Sequence, residues 1–191
     1  MLAVLAVSDK RDIDTLAAGL LRLGWDVVAT EGTQRVLAEA GQKVGHVADL
    51  AGAPTLLGGR VKTLTLPVMG GILARETASD LAEMAAYDIT RVDLVCCNYY
   101  VLPEATEGVG FAGFREKIDV GGPAMLRGAA KNCEHVIPLS DPDDYAPVLD
   151  LLDSGAGSPS AIPLTRRLAL AEKAFEISAA YDEAVRALFR T

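Results

Sequence analysis

Short apolar runs alternate along this chain with stretches whose apolar residues recur every three or four positions. Residues 2–7 form a continuous apolar run, the pattern of a strand buried on both faces of a parallel sheet. Residues 13–23 carry helical spacing and stop at Gly24, a natural helix-terminating residue. Residues 25–29 read as a second strand, residues 34–40 as a short helix stopped by Gly41, and residues 44–47 as a brief third strand. Strand–helix alternation from the first residue predicts an α/β fold, a doubly wound and mostly parallel sheet flanked by helices.

The middle of the chain is less regular. Residues 51–66 have no clear period, and a structureless stretch of that length inside a compact domain is usually either functional or a misread element. A short buried helix is expected over 67–75, an amphipathic surface helix over 78–87, and a buried strand over 92–97 that runs into Asn98-Tyr99-Tyr100. A loop at 108–113 and a helical turn at 114–118 precede a helix opened by Pro123, followed by a strand at 135–139 and a helix at 141–152. By composition, 153–162 is a flexible linker. Beyond it a long helix reaches about residue 189, with an apolar stripe through Leu170, Ala174, Ile177, Tyr181, Val185 and Leu188. The expected organisation is a core of residues 1–152, the linker, and a terminal helix at 163–191 that packs on the core or on a partner subunit.

Composition narrows the function. At 191 residues the chain can build one domain with a substantial core. Its 50% hydrophobic and 23% charged residues are ordinary for a globular α/β protein. A net charge of −8 argues against general nucleic-acid binding, because phosphates are repelled, yet leaves room for a local basic pocket holding one phosphorylated metabolite. Cys96, Cys97 and Cys133 form no disulfide framework, and with His46 and His135 they show no zinc-site spacing. Residues 2–7 are too short for a signal peptide core, and nothing approaches the roughly 20 apolar residues of a membrane span. A cytoplasmic protein that does not engage membranes is expected.

Candidate chemistry gathers in residues 118–132. Asp119 stands before Gly121-Gly122, Pro123 suits a first helical turn, and Arg127 and Lys131 are four apart on one helical face. An acid–base constellation and a buried helix with snorkelling charges explain this stretch equally well. The loops after the strands add weight. Ser8-Asp9-Lys10, Thr30-Glu31-Gly32-Thr33 and Asn98-Tyr99-Tyr100 all follow strands, and strand C-terminal ends share one ligand-binding edge in an open parallel sheet. Hydroxyls, glycine amides and a lysine there suit a phosphate cradle, although such loops are also common turns.

Several of these segments together resemble a known family. Ser-Asp-Lys after the first strand, Gly-Arg-Val-Lys-Thr-Leu, Gly-Ile-Leu-Ala-Arg, and Ile-Asp-Val-Gly-Gly-Pro-Ala-Met-Leu-Arg with Ala-Ala-Lys-Asn resemble the inosine monophosphate (IMP) cyclohydrolase domain of bifunctional purine-biosynthesis proteins. That domain has a methylglyoxal synthase-like fold, and the resemblance extends over the whole chain. It implies ring closure of 5-formamidoimidazole-4-carboxamide ribotide to IMP with loss of water, without metal or cofactor. It implies Lys62, Tyr100, Asp119 and Lys131 as the catalytic set. Ser8, Lys10, Thr30, Gly32, Thr33, Arg60, Thr63, Asn98, Gly121, Gly122 and Arg127 are the implied nucleotide-binding residues. A homodimer and a separate formyltransferase supplying the substrate are implied as partners.

Some positions depart from the family pattern. Ala6 stands for a serine, Glu31 for a glycine, and Thr65 and Met69 for histidines. These favour a second reading, a paralogue closing the same ring on an altered nucleotide, as in nucleoside antibiotic pathways. A non-catalytic nucleotide-sensing module is a third reading, disfavoured because a sensor has no use for a full proton-transfer set.

Overall fold

The computed structural model describes residues 1–52, 57–99 and 111–190. Its elements follow one another as β1 (Leu2–Ala6), α1 (Ile13–Arg22), β2 (Asp26–Ala29), α2 (Glu31–Glu39), β3 (Gly45–His46), α3 (Val47–Ala51), α4 (Leu66–Leu73), α5 (Ala78–Ala86), β4 (Leu94–Cys97), α6 (Phe111–Arg115), α7 (Gly121–Lys131), β5 (Ile137–Leu139), α8 (Tyr145–Ser154) and α9 (Leu164–Leu188). The five strands form one sheet in the order β3-β2-β1-β4-β5, and each neighbouring pair is parallel. The doubly wound parallel sheet expected from the alternation is therefore present.

β1, β4 and β5 are buried on both faces, which explains their unbroken apolar runs. On one face Leu5, Cys96 and Leu139 pack with Leu16 and Leu20 of α1, Leu37 of α2 and Val148 of α8. On the other, Val4, Val95 and Cys97 pack with Val47 of α3, Ile72 of α4, Leu126 and Ala129 of α7 and Ala174 of α9. α9 docks on its own domain, against α7 and β5. Leu170, Ala174, Tyr181 and Leu188 of its expected stripe are buried, and Ile177 and Val185 partly so.

Segment 153–162 lies against the core. The Trp25 indole Nε1–H donates to the Gly157 carbonyl at 2.9 Å, and Ile162 is buried. Arg167, buried in the first turns of α9, donates to the carbonyls of Ile162, Cys133, Glu134 and Pro159. One side chain thus ties this segment, α9 and the chain after α7 together.

Three local expectations need correction. α2 begins at Glu31, not Gln34: the Thr30 carbonyl accepts the amides of Thr33 and Gln34 at 2.8 Å, so Gly32 and Thr33 lie in the first turn. The Glu31 carboxylate at that end complements the helix dipole. Residues 111–113 belong to α6 rather than a loop; the remainder of that expected loop lies outside the described residues. The short helix α3 went unread because its N-cap is a histidine: the His46 Nδ1 accepts the Ala48 amide at 3.0 Å. Histidine is not among the usual cap signals.

Candidate functional site

Parallel pairing brings the ends of β1, β2, β4 and β5 to one edge, and the strand order reverses between β1 and β4. Crevices outside such a reversal are where open α/β sheets bind ligands. Here Asn98 stitches the crevice together. Its Oδ1 accepts the Ser8 and Asp9 amides at 2.6 and 2.8 Å, and its Nδ2 reaches back to the Asp9 carbonyl. Asn98 therefore positions the Ser8 loop with the same atoms that a ligand would need.

Lys10, Thr30 and Thr33 come together beside that loop. The Lys10 ammonium donates to the Val7 carbonyl and to Thr33 Oγ1, and the Val7 amide donates to the same Oγ1. Thr33 is fully buried, so its hydroxyl locks the joint between β1 and α2. Burial pulls the Lys10 pKa below its ordinary value, and the nearby Arg35 charge adds to this. Gly32 is exposed, with open space where a side chain would stand.

A second cluster forms where the turn at 60–63 meets the start of α7. The Asp119 carboxylate accepts the Gly122 amide at 2.9 Å, and the Asp119 amide donates to the Tyr181 hydroxyl at 2.7 Å. Burial raises the Asp119 pKa; the Gly122 amide and the Lys62 charge pull against that rise. The glycines here are demanded by space. A methyl on Gly121 would run into Thr63 Oγ1, and one on Gly122 into the Asp119 carboxylate and the Cys97 sulfur. Thr63 is buried, and Arg60 is exposed and paired with Glu116.

Other expected site residues stand apart. Arg127 pairs with Asp182 of α9 at 2.9 Å, and both are exposed. Lys131 is exposed at the far end of α7, about 15 Å along the axis from Gly121 at 1.5 Å per residue. Tyr100 lies outside the described residues. Its neighbour Tyr99 is buried, with its ring centroid 4.9 Å from that of Tyr181. Thr65 Oγ1 is buried without a partner among the described residues, and Met69 lies over Gly128 of α7.

Tyr181 is the residue that apolar spacing hid. Read as one position of a stripe, it also holds the Asp119 backbone through its hydroxyl. A tyrosine in an otherwise aliphatic stripe carries a polar handle that seeks a partner when buried, and that was the available signal. Its ring also lines a cavity of about 440 Å³, with Asp9, Asn98, Ser140 and Ile177 among the other walls. Among the described residues, no group of three or more His, Cys, Asp or Glu side chains could hold a metal ion.

Residues 12–124 match the MGS-like domain family. The chain belongs to the MGS-like domain family. The remainder of this MGS-like chain, residues 129–191, matches the AICARFT/IMPCHase bienzyme family. It is 45% identical to the bifunctional purine biosynthesis protein PurH of Leuconostoc citreum over 183 residues, 94% of this chain and 35% of that protein. It is 43% identical to PurH of Chloroflexus aurantiacus over 192 residues, 99% of this chain and 36% of that protein. The chain thus spans about a third of the length of these relatives. The crystal structure of ForH is similar throughout, with a TM-score of 0.95 and 74% identity over 99% of this chain and 96% of that one.

Proposed function

We propose that the protein is a cyclohydrolase that closes the pyrimidine ring of 5-formamidoimidazole-4-carboxamide ribotide to give IMP, with loss of water. The observation that carries this reading is the half-buried Asp119 at the glycine-lined start of α7, where Thr63 of the Lys62 turn closes on Gly121 and the Lys62 charge is near enough to act on the carboxylate. Attack of the carboxamide nitrogen on the formyl carbon makes a C–N bond and builds an oxyanion on the former formyl oxygen. The Lys62 ammonium is suited to stabilise that charge, and a preorganised donor of this kind is worth about 3–4 kcal/mol, or roughly 100- to 1000-fold in rate. Asp119, raised toward neutrality by burial, is suited to take the amide proton. The tetrahedral carbon then loses its hydroxyl as water once that oxygen is protonated, and the ring double bond forms. Both reacting groups sit on one heterocycle, so the remaining work is holding the formamide in its reactive rotamer.

A second reading is a paralogue acting on an altered azole nucleotide. Thr65 and Met69, in place of two histidines beside the Lys62 turn and α7, support it. So does the higher identity to ForH than to the PurH chains, 74% against 43–45%.

The test is turnover of the formylated imidazole carboxamide ribotide, followed by ultraviolet absorbance of IMP. The expected result is rapid IMP formation that falls at least 100-fold in Lys62→Ala. A folded wild-type protein that binds the ribotide without turning it over would reject the IMP reading in favour of the altered nucleotide or of sensing.

A further inference from the structure

Asp119 is held from two sides, and only one of the holds comes from the helix it opens. Its carboxylate accepts the Gly122 amide at 2.9 Å, which closes the first turn of α7, where Val120 supplies no side-chain cap. Its amide donates at 2.7 Å to the hydroxyl of Tyr181, 62 residues further on in α9. The first bond restrains the carboxylate, and the second restrains the backbone from which it springs. Together they set the direction in which the carboxylate leaves the chain.

The helix behind Tyr181 is itself fixed. Lys173 donates to Asp141 and Asp144 at 2.9 and 2.7 Å, and Asp182, next to Tyr181, pairs with Arg127 of α7. The Tyr181 ring is buried against Tyr99, which immediately precedes Tyr100, another member of the implied catalytic set. One side chain of α9 thus reaches Asp119 and the neighbour of Tyr100. Packing needs only the ring; the hydroxyl is committed to the Asp119 amide. Reactive groups are kept in place by supporting bonds of this kind, made from rigid elements.

Resting on the cyclohydrolase reading above, we propose that Tyr181 is a positioning residue for ring closure. Its hydroxyl aims the Asp119 carboxylate at the reacting carboxamide and keeps it in its half-buried setting. It acts as a neutral dipole, because burial raises the Tyr181 pKa and the phenol stays protonated wherever Asp119 titrates. The titratable groups facing Asp119 are Lys62 of the 60–63 turn, Cys97 at the end of β4, Tyr99 after it, and Tyr181. Burial raises Cys97 and Tyr99 as well, so among these described groups the charge beside Asp119 comes from Lys62.

Tyr181→Phe keeps the ring on Tyr99 and removes one oxygen. Its kcat is expected to fall roughly 10- to 100-fold, the scale of a misplacement of about 1 Å, with KM unchanged. In an Asp119→Asn background the same change should cost nothing further, because a residue acting only through Asp119 then has nothing left to position. An equal loss in both backgrounds, or none in either, overturns the proposal. A second measurement needs no turnover, so it stands even if the wild-type protein proves inactive on the ribotide. The Asp119 carboxyl carbon is followed by NMR across pH in wild type and Tyr181→Phe. Without the hydroxyl the carboxylate is better hydrated, and its midpoint should move down toward the ordinary value of about 3.9. An unmoved midpoint overturns the proposal. If Tyr181→Phe does not fold, hydrogen exchange of the wild type decides. The Asp119 amide should be as protected as those of the buried face of α9, and exchange at the rate of exposed backbone overturns the bond.

Discussion

Asp119 pays for its position twice over. Its carboxylate caps the Gly122 amide, but burial raises its pKa above the ordinary carboxylate range. Between the unfolded value near about 3.9 and the raised folded value, the folded chain binds more protons than the unfolded one. Stability contributed by this group therefore falls as pH rises through that window. Asp119→Asn keeps an oxygen for the cap and removes the charge. Its midpoint in urea at pH 7 is expected to equal or exceed that of wild type, while ring closure drops at least 100-fold. The wild-type rate should also fall on acidification at a pH above that of an ordinary carboxylate, a limb that the Asn variant lacks. Asp119 stood out as candidate chemistry before its glycine pair, and Lys62 only through the family resemblance. Thr33 was singled out as a cradle hydroxyl, yet it turns inward to lock β1 to α2, and Tyr181 works from a stripe read as packing. The direction of a side chain is set by tertiary contacts that spacing does not encode.

At the scale of the element, α7 and α9 form the scaffold of the candidate site. α9 lies along α7 and reaches it through Tyr181 to Asp119 and through Asp182 to Arg127. Its first turns depend on Arg167, which has no carboxylate partner among the described residues and is satisfied by four carbonyls. Arg167→Met removes the side-chain donor from the Ile162, Cys133 and Glu134 carbonyls, while the Pro159 carbonyl keeps the Ile162 amide, at about 1–3 kcal/mol for each oxygen left unpaired that water does not reach. The expected outcome is a loss of unfolding free energy on the order of 3 kcal/mol, read as a lower urea midpoint, with a smaller loss of turnover than in Asp119→Asn. Periodicity found α9 and its buried stripe, and it found α7 from Pro123 onward. It missed the start of α2 by three residues, because Thr30 caps through its backbone carbonyl while its hydroxyl makes no capping bond. It could not say which surface α9 would cover, since that surface is assembled from α7 and β5, far away in the sequence.

For the whole molecule, strand–helix alternation was sufficient to predict a parallel doubly wound sheet, because buried parallel strands admit little but unbroken apolar runs. The strand order was not readable from the pattern, as it depends on which strands pair. That order has a consequence for how the chain is made. The central strand β1 gains β2 as a neighbour within about 25 residues, but its other edge waits for β4, about ninety positions on. During synthesis, an apolar strand with one open edge exists for roughly half the length of the chain. Open edges of that kind recruit other chains. A fragment ending at residue 92 is expected in the insoluble fraction, while the full chain stays in solution. Refolding of the full chain should fall in the slow, millisecond-to-second range set by such distant pairings. Until its fourth strand has been added, the central strand of this chain stands open to whatever else can pair with it.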